Sequence, residues 1–190
     1  VKGHDFSRVT LVGVLLADLT LFSGDYRAGE RTFDLLTQAA GRAGRGDVPG
    51  KVVIQTYKPD NYAITAAASQ DYRAFYDIEE AYRSLMRYPP EWNMMVIMGT
   101  GMDEEQLANI MDRMYSLIRG KYINAGHLSV IGPSEPAISK IKDVYRRVLY
   151  IKHRDYRMLV DVKDYVEEWL KENGESDVSV FFDMNPVNMY

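Results

Sequence analysis

Two nearly continuous apolar runs near the start of the chain flank a segment with helical periodicity. Residues 9–17 have the length and composition of a strand that is buried on both faces of a parallel sheet, and residues 51–56 predict a second short buried strand. The segment 30–43 between them predicts a helix with one apolar face, formed by Phe33, Leu36 and Ala40. Strand, helix and strand at this spacing indicate a βαβ unit, whose core is too small to stand alone.

The next segment, residues 60–87, carries aromatic side chains at helical spacing and predicts one long helix. The stripe contains Tyr72, Phe75, Tyr76 and Tyr82. Such a stripe can stack nucleic acid bases, but more often it is simply core. Pro89 and Pro90 end the helix, because neither offers a backbone donor, and they predict a domain boundary.

The rest of the chain alternates strands and helices. Strands are predicted at 92–98, 128–131 with a continuation at 138–141, 147–152 and 178–182, and helices at 103–119 and 156–172. Asp103 caps the first of these helices, with Gln106 at the third helical position, and Gly120 closes it. The order β-α-β-β-α-β is typical of a ferredoxin-like α/β sandwich. That topology hosts many functions and supports none by itself.

Composition narrows the class of protein only a little. The 190 residues are 46% hydrophobic, which is enough for packed cores, and the net charge of −4 gives no overall attraction to nucleic acid. The chain has no cysteine, which fits a reducing compartment, and no apolar run approaches a membrane span. Its three histidines lack the spacing of metal ligands, so no metal site is predicted. We expect a cytoplasmic monomer, the carboxy-terminal piece of a longer protein.

The most informative chemistry lies in the glycine-rich stretch Gln38-Ala39-Ala40-Gly41-Arg42-Ala43-Gly44-Arg45. Arg42 and Arg45 can converge on one target, and a guanidinium fits phosphate oxygens. Gly41 and Gly44 remove side-chain bulk, so that another backbone or a polyphosphate can come close. The alternative is a basic helix end in which the arginines complement the helix dipole and a glycine is the cap. The residues alone leave both interpretations open.

A second concentration of positive charge lies between residues 140 and 157. It contains Lys140, Lys142, Arg146, Arg147, Lys152, His153, Arg154 and Arg157, with three tyrosines between them. Phosphates or carboxylates could bind there, with bases stacked on the tyrosines. Equally, lysines and arginines at a solvated strand edge discourage pairing between sheets.

Several motifs resemble one helicase family. Gln38-x-x-Gly41-Arg42-x-Gly44-Arg45 is similar to motif VI of superfamily 2 helicases. Lys2-Gly3-His4-Asp5-Phe6, the strand 9–12, and Asp18-x-x-Leu21-Phe22-Ser23-x-Asp25-Tyr26-Arg27-x-x-Glu30-Arg31 resemble motif V and its sequel in the PriA family of replication-restart helicases. Arg87-Tyr88-Pro89-Pro90 and Asp183-x-Asn185-Pro186 also resemble the end of that family. The likeness spans the whole chain and is most specific at its front.

The resemblance implies a domain organisation and site residues. Residues 1–58 would end the second helicase lobe, 59–90 would be a helical connector, and 91–190 a carboxy-terminal α/β domain. Arg42 and Arg45 would act in catalysis as arginine fingers on ATP, and cofactor contacts are implied for Gln38, Gly41, Gly44, Gly3 and Asp5. DNA or a protein tail would meet Lys2, Lys152, Arg154 and Arg157.

The resemblance also implies partners and cofactors. The parent protein would be an ATP-dependent 3′-to-5′ DNA helicase that uses Mg²⁺, with zinc held by cysteines upstream of this chain. It would bind forked or single-stranded DNA, the acidic tail of single-stranded-DNA-binding protein and other primosome proteins. This chain lacks a phosphate-binding loop and is therefore expected to be inactive alone. Two alternatives are a non-enzymatic module that binds DNA or a protein tail, and a regulatory ligand-binding domain of a metabolic enzyme.

Overall fold

The computed structural model describes residues 9–43, 49–124 and 126–190. The chain is α/β and divides into two compact units, residues 1–82 and 83–190. The division falls after Tyr82, whereas the pair of prolines predicted it at residue 90. In the described ranges, no helix is both long and apolar enough to cross a bilayer.

The first unit contains the βαβ arrangement that the sequence predicted. Its elements are β1 (Leu11–Val14), α1 (Asp18–Leu21), α2 (Ala28–Ala40), β2 (Lys51–Ile54), α3 (Tyr62–Ser69) and α4 (Tyr72–Leu85), which ends in the second unit. β1 and β2 pair in parallel, with Leu11 opposite Lys51 and Val14 opposite Ile54. The predicted burial on both faces is wrong, because both strands alternate exposed and half-buried residues.

Helices α2, α3 and α4 enclose the core of the first unit. Phe33 and Phe75 stack with their ring centroids 4.3 Å apart, and the alanines of α3 pack beside them. The single helix predicted over 60–87 is wrong, because Gln70 adopts a left-handed conformation (φ 54°) that ends α3. Asp71 then accepts the Ala74 N–H at 2.9 Å and starts α4.

The aromatic stripe of α4 is core at one position only. Phe75 is buried, as the core interpretation predicts. Tyr72, Tyr76 and Tyr82 are 62%, 40% and 43% exposed, so this interpretation is wrong for them. Their spacing is helical, but the helices of the first unit cover only one side of α4.

The second unit consists of a sheet and two helices, and these elements follow one another in the predicted order. Its elements are β3 (Asn93–Gly101), α5 (Glu104–Tyr122), β4 (Ser129–Ser134), β5 (Lys140–Ile141), β6 (Val144–His153), α6 (Tyr156–Asn173) and β7 (Val178–Met184). The sheet order is β4-β6-β3-β7, with β5 also paired to β6, and every pairing is antiparallel. Asp103 caps α5 as predicted, but Gly120 does not close it, because the helix continues to Tyr122.

The sheet of the second unit buries residues on both faces. Met95, Ile97, Leu149 and Ile151 pack against α5 and α6 in one cluster. The alternate residues of the same two strands are also buried: Met94, Val96, Met98, Val148, Tyr150 and Lys152. On this second face the Tyr150 hydroxyl donates to the Tyr190 carbonyl at 3.0 Å. A hydrogen bond from Tyr190 to Asp183, at 2.6 Å, raises the pKa of the Tyr190 phenol to about 12.

Strand β4 bends within its own length. Its register with β6 shifts between Ile131 and Ser134, where Gly132 has φ +101°. A Cβ at Gly132 would lie 2.7 Å from the Val148 carbonyl oxygen. Glycine is therefore required at this bulge by both conformation and space.

Candidate nucleotide and polyanion sites

The motif VI residues that the structure describes lie at the end of α2. Gln38 is exposed in the last turn, and Arg42 is half-buried just beyond it. The N–H groups of Gly41 and Arg42 donate to the Thr37 and Ala39 carbonyls at 2.9 and 3.2 Å, so helical turns continue past Ala40. This spacing brings Gln38 and Arg42 to neighbouring positions on one side of the helix end.

The other residues of the predicted nucleotide site lie outside the described residues. They are Lys2, Gly3 and Asp5 of motif V, and Gly44 and Arg45 of motif VI. The predicted convergence of Arg42 and Arg45 on one target therefore stays a prediction.

Two features of the α2 end are not explained by local packing. Gly41 has φ −64°, and a Cβ there would meet only the Thr37 and Gln38 carbonyl oxygens, at 3.5 and 3.8 Å. The conformation and packing of the helix therefore do not require glycine at this position. The Thr37 hydroxyl is buried and has no hydrogen-bond partner among the described residues.

Charged pairs fix the start of α2. Arg27 donates from Nε and Nη2 to the Glu30 carboxylate, both at 3.0 Å, and Arg31 Nη1 lies 3.0 Å from Asp25 Oδ2. The bidentate contact with Glu30 raises the pKa of Arg27. These four residues belong to the stretch that carried the family resemblance, and in the structure they position the helix.

Asp18, another residue of that stretch, joins α1 to the end of β2. Its carboxylate accepts the Thr56 hydroxyl at 2.9 Å and the Tyr57 N–H at 3.0 Å. Burial would raise the pKa of Asp18, but these hydrogen bonds outweigh it and hold the pKa below its ordinary value.

The basic segment 140–157 is not a continuous surface. Alternation along β6 places Arg146 and Arg147 on opposite faces of the sheet. Arg146 donates to the Ile138 carbonyl at 3.2 Å, and Arg147 lies 3.7 Å from a Glu104 oxygen. Lys140 lies 3.3 Å from an Asp143 oxygen. Several of these charges are thus engaged within the fold.

Lys152, predicted as a polyanion contact, is in the interior and only 5% exposed. Its ammonium donates to the Met86 carbonyl at 3.2 Å and lies 3.5 Å from the centre of the Tyr88 ring. Burial, and after it the nearby Arg87, lower the pKa of Lys152 to about 8. This differs from the expected surface position, because a buried ammonium cannot touch a phosphate directly.

Arg154 and Arg157 are exposed, as their predicted role requires. The Arg157 N–H donates to Asp155, which caps α6, and the Arg154 guanidinium lies 5.5 Å from the Trp92 ring centre. Arg87 lies 5.0 Å from the centre of the same ring. Sequence reasoning missed Arg87 and Trp92 as candidates, since only the three-dimensional fold brings residues 87, 92 and 154 together.

The relatives found by comparison with known proteins share one name. Replication restart protein PriA of Bacillus subtilis is 38% identical over 190 residues, which cover 99% of this chain and 23% of that protein. The protein of the same name from Synechocystis is 32% identical over 99% of this chain and 22% of its own length. The Chlamydia trachomatis protein of that name is 34% identical over 100% of this chain and 25% of its own length. The chain thus spans about a quarter of the length of these relatives.

Among solved structures, the de novo designed protein Foldit4 aligns with 49% of this chain and 97% of its own, at 16% identity. Its TM-score of 0.36 is too low to support an argument about the fold. Residues 84–187 match a family described as the primosomal protein N C-terminal domain. This match covers more than half of the chain, and the chain therefore belongs to the primosomal protein N C-terminal domain family.

Proposed function

We propose that this chain is the carboxy-terminal part of an ATP-dependent 3′-to-5′ DNA helicase that recognises stalled or repaired forks and reloads the replisome. The observation that carries the proposal is a match along 99% of the chain to proteins named for replication restart. Because the match covers 99% of the chain, it extends into the part before residue 84, which contains the motif V and motif VI residues.

The two units fit this assignment. In the proposal, residues 1–58 end the second helicase lobe, 59–90 connect, and 91–190 form the carboxy-terminal domain. The parallel pairing of β1 with β2 suits a piece of a parallel sheet that continues elsewhere. In the second unit, the order β4-β6-β3-β7 with two helices on one face supports a ferredoxin-like sandwich.

The end of α2 supplies the proposed catalytic contribution. Arg42 and Arg45 would donate to the γ-phosphate of ATP held by a separate lobe, which would supply the phosphate loop and Mg²⁺. Gln38 would orient this loop, and Gly41 and Gly44 would allow the lobes to approach closely. Gly3 and Asp5 would contact the nucleotide side, and Lys2 the DNA side. Zinc would belong to cysteines upstream, and the chain alone would not hydrolyse ATP.

The test is made in the full-length protein. Such a finger contributes about 10³ to 10⁵ in rate in systems where it has been measured, so Arg45→Ala and Arg42→Ala should each abolish DNA-stimulated ATP hydrolysis. DNA affinity should stay near that of wild type. Arg73→Ala is the matched control, because Arg73 is exposed and pairs only with Asp77 among the described residues. Wild-type turnover in the Arg45 variant would refute the assignment.

A second candidate function is a non-enzymatic module that binds DNA or an acidic protein tail. The exposed positions of Arg154 and Arg157 favour it. In the helicase proposal the same surface would bind DNA, the tail of single-stranded-DNA-binding protein or other primosome proteins. The helicase itself would be a monomer in the cytoplasm. If the chain is a non-enzymatic module, the full-length protein should bind polyanions and the Arg45 variant should keep its replication restart activity. The helicase proposal predicts that the Arg45 variant loses this activity.

A further inference from the structure

Trp92 holds two arginine side chains at the start of the second unit. The guanidinium carbons of Arg87 and Arg154 lie 5.0 and 5.5 Å from the centre of its ring. Trp92 itself is 5% exposed, whereas both arginines are exposed. Arg87 occupies a left-handed turn after α4 (φ 57°), and Arg154 follows directly on β6. Residues 67 positions apart in the chain thus share one platform.

A cation–π contact of this kind uses the positive charge of a guanidinium and does not occupy its N–H donors. In the part of the chain that the structure describes, neither of these guanidinium groups donates a hydrogen bond or forms an ion pair. Two planar donor groups are therefore oriented by the protein while their donors remain available. Such pre-organisation lowers the entropy cost of binding an anion.

Among the described residues, the neighbouring carboxylates Glu91 and Asp155 form no ion pair with Arg87 or Arg154. Glu91 accepts the Ser84 hydroxyl at 2.8 Å, and Asp155 accepts the Arg157 N–H at 2.9 Å. Another cation, Lys152, is near enough to Arg87 that Arg87, after burial, helps to lower the pKa of this lysine. The cluster has uncompensated positive charge although the chain as a whole carries −4.

We propose that Trp92 presents Arg87 and Arg154 as a two-armed clamp for neighbouring phosphates of one nucleic acid strand. This inference rests on the proposed function and extends it to a defined subsite. Two separate arms suit a ligand with regularly repeated charges, whereas a single carboxylate would occupy one arm. Because Trp92 is buried, bases cannot stack on it, and binding by the clamp is independent of base sequence.

The test measures binding of the 190-residue chain to fluorescein-labelled oligo-dT by anisotropy over a range of KCl concentrations. Arg87→Asn suits a left-handed position, and Arg154→Gln removes the charge while leaving a polar side chain. Each should weaken binding roughly tenfold and reduce the slope of log K against log salt by about 0.7. Trp92→Leu should weaken binding without changing the slope, and Trp92→Phe should restore part of the affinity.

Arg113→Gln is the matched control. Arg113 also stacks on a tryptophan, at 4.9 Å from the Trp169 ring centre, but it lies on α5 and donates to Asn173 at 3.4 Å. This variant should bind as wild type does. Cooperative urea unfolding of every variant, followed by tryptophan fluorescence, separates loss of binding from loss of fold.

Each further outcome has a distinct meaning. If the wild-type chain binds DNA and the Arg87 and Arg154 variants keep its affinity and slope, the clamp is overturned while the proposed function stands. If an acidic peptide binds and loses affinity in these variants while DNA does not, the assignment to nucleic acid is overturned. If the wild-type chain binds no DNA, the clamp fails together with DNA binding by this part of the protein.

Discussion

Replacement of the buried Lys152 by methionine gives a test of the electrostatics with a defined sign. The folded pKa of about 8 lies below the ordinary value of 10.5, so the folded chain holds fewer protons than the unfolded chain between these values. Stability contributed by this residue should therefore rise as the pH rises from 8 towards 10.5. Below pH 8 both states are protonated, and the cost of burying the charge is fully present.

The magnitude follows from the size of the shift. At 1.36 kcal/mol per pH unit, the shift from 10.5 to about 8 corresponds to about 3 kcal/mol as an upper bound. Part of this is realised by pH 9.5, and solvent screening reduces it. We expect the difference in free energy of unfolding, wild type minus Lys152→Met, to increase by about 1 to 2 kcal/mol between pH 7 and pH 9.5.

The assay is urea unfolding followed by tryptophan fluorescence. Both tryptophans of the chain, Trp92 and Trp169, lie in the second unit, so the signal reports that unit alone. Groups common to both proteins, including Tyr190, cancel in the difference. Lys171→Met, at an exposed position of α6, is the control and should give no such trend. Parallel pH profiles for wild type and Lys152→Met would refute the electrostatic reasoning.

Three further predictions concern local geometry. Gly132→Ala should lower the free energy of unfolding by about 2 kcal/mol, because residue 132 has a positive φ and a Cβ there would clash with the Val148 carbonyl. Gly120→Ala should raise the free energy of unfolding by about 0.5 kcal/mol, because the space around this position of α5 is open. Urea unfolding measures both changes. Asp103→Ala should cost about 1 kcal/mol through loss of the cap of α5, and Asp103→Asn should cost much less, in the same assay. Gly29→Ala would clash with the Tyr62 hydroxyl and Glu79 and should increase hydrogen exchange in α2, whereas Gly41→Ala should not; equal exchange in both would contradict the packing described here.

The order of elements was predictable where periodicity and caps agree. The predicted strands and helices after residue 91 are present in the predicted order, but the segment predicted to continue β4 is a separate short strand, β5, that pairs with β6. Asp103 marked the start of α5 as its spacing to Gln106 required. Gly120 was misread as a stop, since open space around a helical glycine allows the helix to continue. The break at Gln70 was missed because nothing in its residue type demands a left-handed conformation.

The candidate sites were less accessible to sequence reasoning. Lys152 stands two positions after Tyr150, so alternation alone places it on the same face as buried residues, yet its charge suggested the surface. The platform of Trp92 joins positions that are close only after β3 and β6 have paired. The convergence of Arg42 and Arg45, which their spacing predicted, stays a prediction, because Arg45 lies outside the described residues.

The buried lysine and the proposed clamp share one short turn. Lys152 holds the Met86 carbonyl, and the next residue, Arg87, takes the left-handed conformation that brings it over Trp92. Replacing a buried charge with an apolar residue is often neutral or stabilising, so stability does not account for a lysine at position 152. The lysine at this position is explained if the turn must present Arg87. Lys152→Met should then weaken oligo-dT binding with an unchanged salt slope, because the lysine positions the clamp without touching a phosphate. Wild-type affinity in that variant would show that the turn is held without the lysine.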